Sequence, residues 1–129
     1  MVDNRTTDGR RLAELLSSEL HGRESGPLGR LAIVDAEPDA QPTADGTFVY
    51  AVALDGDRLA GVYTYPDRLR IEFERGVDAA ARVGDAADLR ARPKAVEPPR
   101  TLVFVADGAA VKRATDVLVA VVEALDAAD

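Results

Sequence analysis

Four basic side chains lie close together in the last third of an otherwise acidic sequence: Arg90, Arg92, Lys94 and Arg100. Only Glu97 opposes them, so these eleven residues carry a net charge of +3. In an extended segment, alternation places Arg90, Arg92 and Lys94 on one side, a geometry that suits phosphate oxygens or the carboxylates of a partner. The segment is the best candidate binding site, although an edge strand protected from aggregation by charge and proline has the same composition.

Two further features of the sequence bear on a nucleic-acid partner. Arg68, Arg70 and Arg75 would extend the basic segment if their strand lies near it. Aromatic side chains, on which the bases of single strands stack, are missing from residues 90–100, and most of the six aromatics fall at strand positions predicted to face the core. This distribution argues against a nucleic-acid surface.

Isolated polar residues offer little for catalysis. His21 is the only histidine, the residue type most used for general acid–base chemistry. It falls in the last turn of a predicted helix, where the helix dipole favours a cation, and no Ser, Asp or Glu is spaced as a recognisable partner. Asp107 precedes another predicted helix and should cap it, while its charge would repel an anion there.

Two acidic groups resemble parts of metal sites. Asp55 and Asp57 flank a glycine and fit a tight hairpin turn, whereas Asp35, Glu37 and Asp39 fit an acidic surface loop. A pair of carboxylates falls short of the roughly six to eight oxygens that calcium requires. The sequence also lacks a nucleophile motif and a phosphate-binding glycine loop. We therefore predict no enzyme activity, no metal and no cofactor.

Length and composition limit the remaining classes. The chain has 129 residues, a formal net charge of −7 and no cysteine, which excludes disulfides and thiolate metal sites. We predict one domain over residues 1–129, with residues 1–6 flexible and residues 36–47 forming a mobile acidic loop. No apolar run approaches the ~18 residues of a membrane span, and no signal region is visible, so a cytoplasmic protein without a membrane partner is expected.

Hydrophobic periodicity predicts an α+β fold, an antiparallel sheet built around a three-stranded meander. The predicted elements are a helix over 8–20, a strand over 31–34, meander strands over 47–54, 58–65 and 69–73, a short helix over 76–83, a strand over 101–105 and a long helix over 108–127. Residues 88–100 should form an extended edge or a loop because prolines interrupt them. The N-terminal and the long C-terminal helix should pack on one face of the sheet.

The turns of the meander predict its register. Asp55-Gly56 favours a type I′ turn with Leu54 opposite Asp57. Regular pairing from this turn places large side chains on one face through three pairs: Val52 with Leu59, Tyr50 with Gly61, and Phe48 with Tyr63. In the second turn, a two-residue loop would place Ile71 opposite Val62. We favour a three-residue loop, which places Ile71 opposite Tyr63 and builds one aromatic-aliphatic face.

The C-terminal helix carries an apolar surface well wider than the usual ~100°. Such a surface needs cover from two directions, either the sheet and the first helix or the sheet and a second subunit. We predict self-association as a homodimer through one part of this surface: Val117, Ala120, Val121 and Ala124.

Three segments resemble those of short acidic proteins of unknown function from haloarchaea: DGRRLAELLSSEL, PLGRLAIVDAEPDAQPTADGT and RPKAVEPPRTLVFVADGAAVKRATDVLVAVV. The resemblance covers most of the chain and carries no catalytic motif. It implies a cytoplasmic, salt-adapted setting, with which the acidic composition agrees.

Two functions follow as hypotheses. The first is a non-enzymatic interaction module, homodimeric and with an unidentified protein partner. The alternative is a nucleic-acid or ribonucleoprotein accessory factor that binds through the basic segment 90–100.

Overall fold

The computed structural model describes residues 5–22 and 27–128. They form three α-helices, six strands and a short 3-10 helix at Pro27–Arg30. The helices are α1 (Gly9–His21), α2 (Val77–Ala86) and α3 (Gly108–Ala128). The strands are β1 (Leu31–Val34), β2 (Thr47–Leu54), β3 (Asp57–Thr64), β4 (Leu69–Phe73), β5 (Arg90–Lys94) and β6 (Arg100–Val105).

The six strands make one antiparallel sheet in the order β1-β2-β3-β4-β6-β5. The helices pack on one face, where strand residues aligned across the register, such as Val62, Ile71 and Val103, join helix residues in a single core. The alternate residues of the same strands point away from the described helices, and we call that side the open face. The predicted α+β fold is confirmed, with the basic segment forming the edge strand β5.

Side-chain caps start both long helices, and the cap predicted at Asp107 is confirmed. One carboxylate oxygen of Asp8 accepts hydrogen bonds from the N–H groups of Arg10 at 3.0 Å and Arg11 at 3.4 Å. Asp107 accepts one from the N–H of Ala110 at 2.9 Å. Each bond satisfies a backbone donor that the first helical turn leaves unpaired. Leucines at helical spacing form the buried stripe of α1: Leu12, Leu15, Leu16 and Leu20.

The short helix α2 ends later than predicted. It follows Gly76 and continues through Gly84 to Ala86. Gly84 lies inside the helix, at a close contact between α2 and the sheet. A Cβ there would lie 3.3 Å from Cβ of Ala91 and 3.4 Å from a methyl group of Val103. The absence of a side chain lets α2 approach the sheet closely.

The predicted turn of the first hairpin and the predicted pair of Phe48 with Tyr63 are confirmed, but the pairs predicted for Val52 and Tyr50 are wrong. Asp55 and Gly56 have φ angles of 51° and 91°, as a type I′ turn requires, and Leu54 pairs with Asp57. Irregularities between Val52 and Ala53 and again between Phe48 and Tyr50 shift the register. The observed pairs are Val52 with Ala60, Tyr50 with Val62, and Phe48 with Tyr63.

These two irregularities separate side chains that regular pairing places together. Tyr50 and Val52 face the helices, whereas Phe48 and Tyr63 lie on the open face, where their rings meet edge to face at 5.6 Å. A β-bulge adds one residue to one strand and so reverses the facing of the residues beyond it.

The three-residue loop predicted for the second hairpin is wrong. The N–H of Tyr65 donates to the carbonyl of Arg68 at 2.9 Å, which closes a two-residue turn. Ile71 therefore pairs with Val62 under the helices, and Arg70 pairs with Tyr63 on the open face. The strands supply large apolar side chains of this core, among them Leu69, Ile71 and Phe73, which are fully buried beneath the helices.

Tyr50 ties the sheet to α1. Its buried hydroxyl donates to the carbonyl of Ala13 at 2.8 Å, and burial raises the pKa of the phenol. We expect Tyr50→Phe to lower the free energy of unfolding by about 1 kcal/mol, measured by urea denaturation, because a buried hydrogen bond is lost. Tyr63→Phe on the open face should change it by less than about 0.5 kcal/mol. Equal losses in both variants would contradict this role of Tyr50.

Two segments were predicted to be mobile or flexible: residues 36–47 and residues 1–6. Residues 36–46 contain no helix or strand, and β2 begins at Thr47; the mobility of the acidic loop stays a prediction. Of the residues 1–6 predicted to be flexible, the first four lie outside the described residues. Among the described helices, even α3 lacks the apolar length that a bilayer span requires.

Candidate anion-binding surface

Basic side chains from four strands meet on the open face. Residues directly opposite each other in an antiparallel pair share a face, and the register aligns Arg70 with Phe104 and Arg90, and Leu102 with Arg92. We call the resulting surface the basic face. Its basic residues are Arg58 on β3, Arg68 and Arg70 at β4, Arg90, Arg92 and Lys94 on β5, and Arg100 on β6.

A single buried carboxylate organises the centre of the basic face. The side chain of Glu72 is only 1% exposed, yet three cations surround it: Arg100 at 2.5 Å, Lys94 at 3.3 Å and Arg70 at 3.4 Å. Burial opposes ionisation of Glu72, but hydrogen bonds from Arg100 and Lys94 outweigh it, so its pKa lies below the ordinary value. The ionised carboxylate holds the three cations in place while neutralising only one of them.

Aromatic rings alternate with the guanidinium groups of the basic face. Arg70 lies 4.2 Å from the ring centroid of Tyr63, and Arg68 lies 4.0 Å from that of Tyr65. Arg90 lies 5.4 Å from the ring of Phe104. These are cation–π distances, and they keep flat guanidinium groups stacked over flat rings.

The prediction that most aromatic rings face the core is wrong. Four of the chain's six aromatic residues lie outside the core cluster: Phe48, Tyr63, Tyr65 and Phe104. The register shifts and the two-residue turn described above account for the error in the meander. For Phe104 the alternation of β6 carried the signal, since Val103 and Val105 are fully buried and the residue between them must face the other side.

The structure brings the predicted binding residues together and enlarges their set. Arg90, Arg92, Lys94 and Arg100 occupy two neighbouring strands. Arg68 and Arg70 extend this group across the sheet, as predicted, and Arg58 joins it although no pattern in the sequence indicates this. Arg75 does not join them. Hydrogen bonds from Arg30 lower the pKa of Asp55 at the β2–β3 turn, and the nearby charge of Arg75 lowers it further.

Charge on the basic face opposes that of the whole molecule. Seven basic side chains lie there, and the carboxylates among them are Glu72, Glu74 and, at the rim, Asp67. The chain as a whole carries −7. Positive charge is therefore concentrated on one side of an acidic protein, which is the arrangement that attracts and orients a polyanion.

The other sequence candidates have structural roles. Asp55 pairs with Arg30 at 2.6 Å, and Arg30 also pairs with Asp126 of α3 at 2.7 Å, so the candidate metal carboxylate joins a hairpin to a helix. His21 does have a partner, since its Nδ1 lies 3.3 Å from the hydroxyl of Ser17 one turn earlier. Within the described residues, no group of three potential metal ligands comes together.

The predicted dimer residues lie largely inside the chain. Val117 and Val121 are fully buried, and Ala120 and Ala124 are half-buried. The helices α1 and α2 and the sheet cover the wide apolar surface of α3. The width of that surface is thus explained without a second subunit. The homodimer stays a prediction, but the wide apolar surface of α3 no longer argues for it.

Comparisons with known proteins identify a family. A search of curated proteins found no match, and a search of solved structures found none either. The sequence does match a family of unknown function designated DUF7993 over residues 1–129. The chain that presents this basic, aromatic sheet face therefore belongs to the DUF7993 family.

Proposed function

We propose that this protein binds single-stranded nucleic acid on the basic face. One observation carries the proposal: the guanidinium groups of Arg58, Arg70 and Arg90 lie over aromatic rings on an open antiparallel sheet. Single-strand binders combine these two features, a positive surface that follows the backbone and rings on which bases stack. The alternative drawn from the sequence is thereby favoured over the protein interaction module.

The shape of the surface favours a single strand over a duplex. Bases are available for stacking only when they are unpaired, and a broad sheet face gives them room to lie flat. On binding, a base would replace a guanidinium group over a ring such as Tyr63, and the freed arginine would turn to a phosphate. Arginine suits this exchange because its planar group both stacks and binds phosphate oxygens in a bidentate manner.

Charge also separates the nucleic-acid hypothesis from a homodimer on the same face. Two copies meeting through this surface would each present an excess of basic side chains, and like charges facing each other are unfavourable. A partner with phosphate groups instead presents negative charges, which attract the basic side chains of this face.

The test is fluorescence anisotropy with labelled single-stranded RNA and DNA of mixed sequence, at salt concentrations where circular dichroism shows a folded chain. The variant Arg58→Gln/Arg90→Gln/Arg92→Gln removes three exposed cations that make no ion pair with Glu72. We expect affinity to fall by ~10- to 100-fold, and the slope of log K against log salt to decrease by about two.

The matched control carries the same charge change on the helices: Arg10→Gln/Arg11→Gln/Arg82→Gln. It should bind within about threefold of the unmodified chain, since these residues lie outside the basic face. Equal weakening by both triple variants would reject the proposal, because the effect would then come from net charge alone. So would tighter binding of a duplex of the same sequence.

The cellular environment in which the protein binds nucleic acid is part of the proposal. The acidic composition and the resemblance to short haloarchaeal proteins support a salt-filled cytoplasm as the place of action. Stacking of bases on rings depends less on salt than phosphate contacts do, so a surface with both retains affinity where charge alone is screened.

A further inference from the structure

A cavity lies at one end of the basic face, where β6 ends and α3 begins. Its volume is about 360 Å³, within the range of small-molecule sites. Six of its lining residues have side chains able to recognise a ligand: Arg68, Asp88, Arg90, Phe104, Asp107 and Arg113. The cavity therefore continues the basic face around the end of the sheet to the helical layer.

Two guanidinium groups lie over one aromatic ring in this cavity, and a third lines its wall. Arg90 and Arg68 lie 5.4 Å and 5.8 Å from the ring centroid of Phe104. Arg113 reaches from α3 and is held by a hydrogen bond of 3.2 Å to the carbonyl of Ala87. The ring offers a stacking surface for a base, and the guanidinium groups offer sites for phosphate oxygens.

The two carboxylates of the cavity affect the choice of ligand. Asp107 uses one oxygen to cap α3, and Asp88 is exposed. They oppose a small inorganic anion. They suit a ligand that also carries hydroxyl or amino donors, as a ribose or a base does.

We propose that this cavity binds the terminal nucleotide of a single strand and prefers an end that carries a phosphate monoester. The inference rests on the proposed function. A terminal phosphate monoester carries close to two negative charges at neutral pH, against one for a phosphodiester within the strand. Asp88, Leu89 and the first turns of α3 form part of the cavity wall. A strand lying on the basic face ends against this wall.

The test compares three single-stranded oligonucleotides of one sequence, with a 5′-phosphate, a 3′-phosphate or hydroxyl groups at both ends. We expect a phosphate at one of the two ends to tighten binding by ~10-fold, a typical effect of a hydrogen-bonded charge pair. Arg113→Gln should abolish that gain, because it removes one guanidinium group from the cavity wall. Arg82→Gln on α2, with the same charge change, should keep the gain.

A second variant guards against a folding defect. Arg90→Gln changes an exposed edge-strand residue and should also reduce the gain, with an unchanged thermal unfolding temperature. If the hydroxyl-ended strand binds but neither terminal phosphate improves affinity by more than about twofold, the cavity assignment is overturned and the proposed function stands. If no strand binds, the proposed function fails and the assignment fails with it.

Discussion

Replacing Glu72 with glutamine should lower the free energy of unfolding by about 3 kcal/mol, the lower end of the cost of removing one partner from a buried ion pair. Glutamine keeps the shape of the side chain but leaves Arg70, Lys94 and Arg100 close together without the carboxylate that they share. The lower end applies because Lys94 and Arg100 are 40% and 32% exposed and partly screened by water.

The acid side of the stability profile tests the same carboxylate. The pKa of Glu72 in the folded chain lies below its ordinary value of 4.5, because hydrogen bonds from Arg100 and Lys94 outweigh the effect of burial. The folded chain thus holds fewer protons than the unfolded chain just below pH 4.5. Its stabilising contribution is complete above pH 4.5 and is lost as the pH falls through the folded pKa. Glu72→Gln should remove this part of the pH dependence.

Glu74→Gln is the matched control for both measurements. Glu74 pairs with Arg58 at 2.6 Å and with Arg100 at 3.8 Å, but its side chain is 24% exposed. We expect a loss below about 1 kcal/mol in urea denaturation at pH 7, as for other surface ion pairs. If Glu72→Gln were no more destabilising than Glu74→Gln, the buried carboxylate would not organise the basic face.

Gly9→Ala should be the second strongly destabilising substitution, with a loss of about 3 kcal/mol from overpacking. A Cβ at Gly9 would overlap the carbonyl oxygen of Tyr65 and lie 2.5 Å from that of Arg68. Both are backbone atoms of the β3–β4 turn, which cannot rotate away as a flexible side chain can. The start of α1 would have to move from the turn, and the hydrogen bond from the N–H of Gly9 to the carbonyl of Pro66 would lengthen.

Gly22→Ala is the control at the other end of α1. Its φ of −77° is one that alanine adopts readily, and the nearest atom to an added Cβ is the carbonyl oxygen of Ser18 at 3.3 Å. We expect the free energy of unfolding to change by less than about 1 kcal/mol, because alanine fits this conformation without strain. The measurement is the midpoint of thermal unfolding for both variants. Similar midpoints would show that the β3–β4 turn moves aside at little cost and that the contact at Gly9 is unimportant.

The Gly9 contact also links the fold to the site. The turn that Gly9 supports carries Tyr65 and Arg68, which stack on each other at the rim of the basic face. A displaced turn should therefore weaken binding of a single strand as well as stability. No local pattern in the sequence indicates this contact, because the helix and the turn that meet there are more than fifty residues apart.

Local chemistry along the chain determined much of the fold. Asp8 and Asp107 cap the helices that follow them, and Asp55-Gly56 makes the first hairpin turn, because each depends only on neighbouring backbone groups. The basic edge strand was likewise visible from alternation and proline. These features establish the order of the elements and the existence of a candidate site.

Only the tertiary structure decided which side of the sheet each strand residue faces. A shift of one residue moves a whole strand from one face to the other, and the bulges near Val52 and Phe48 have no signature in the local sequence. With these shifts Tyr50, Val52 and Ala60 all lie in the core beneath the helices. The rings of Tyr63 and Phe104 consequently share the open face with the arginines. The arrangement of rings beside arginines depends on packing between distant parts of the chain, which no short stretch of sequence reveals.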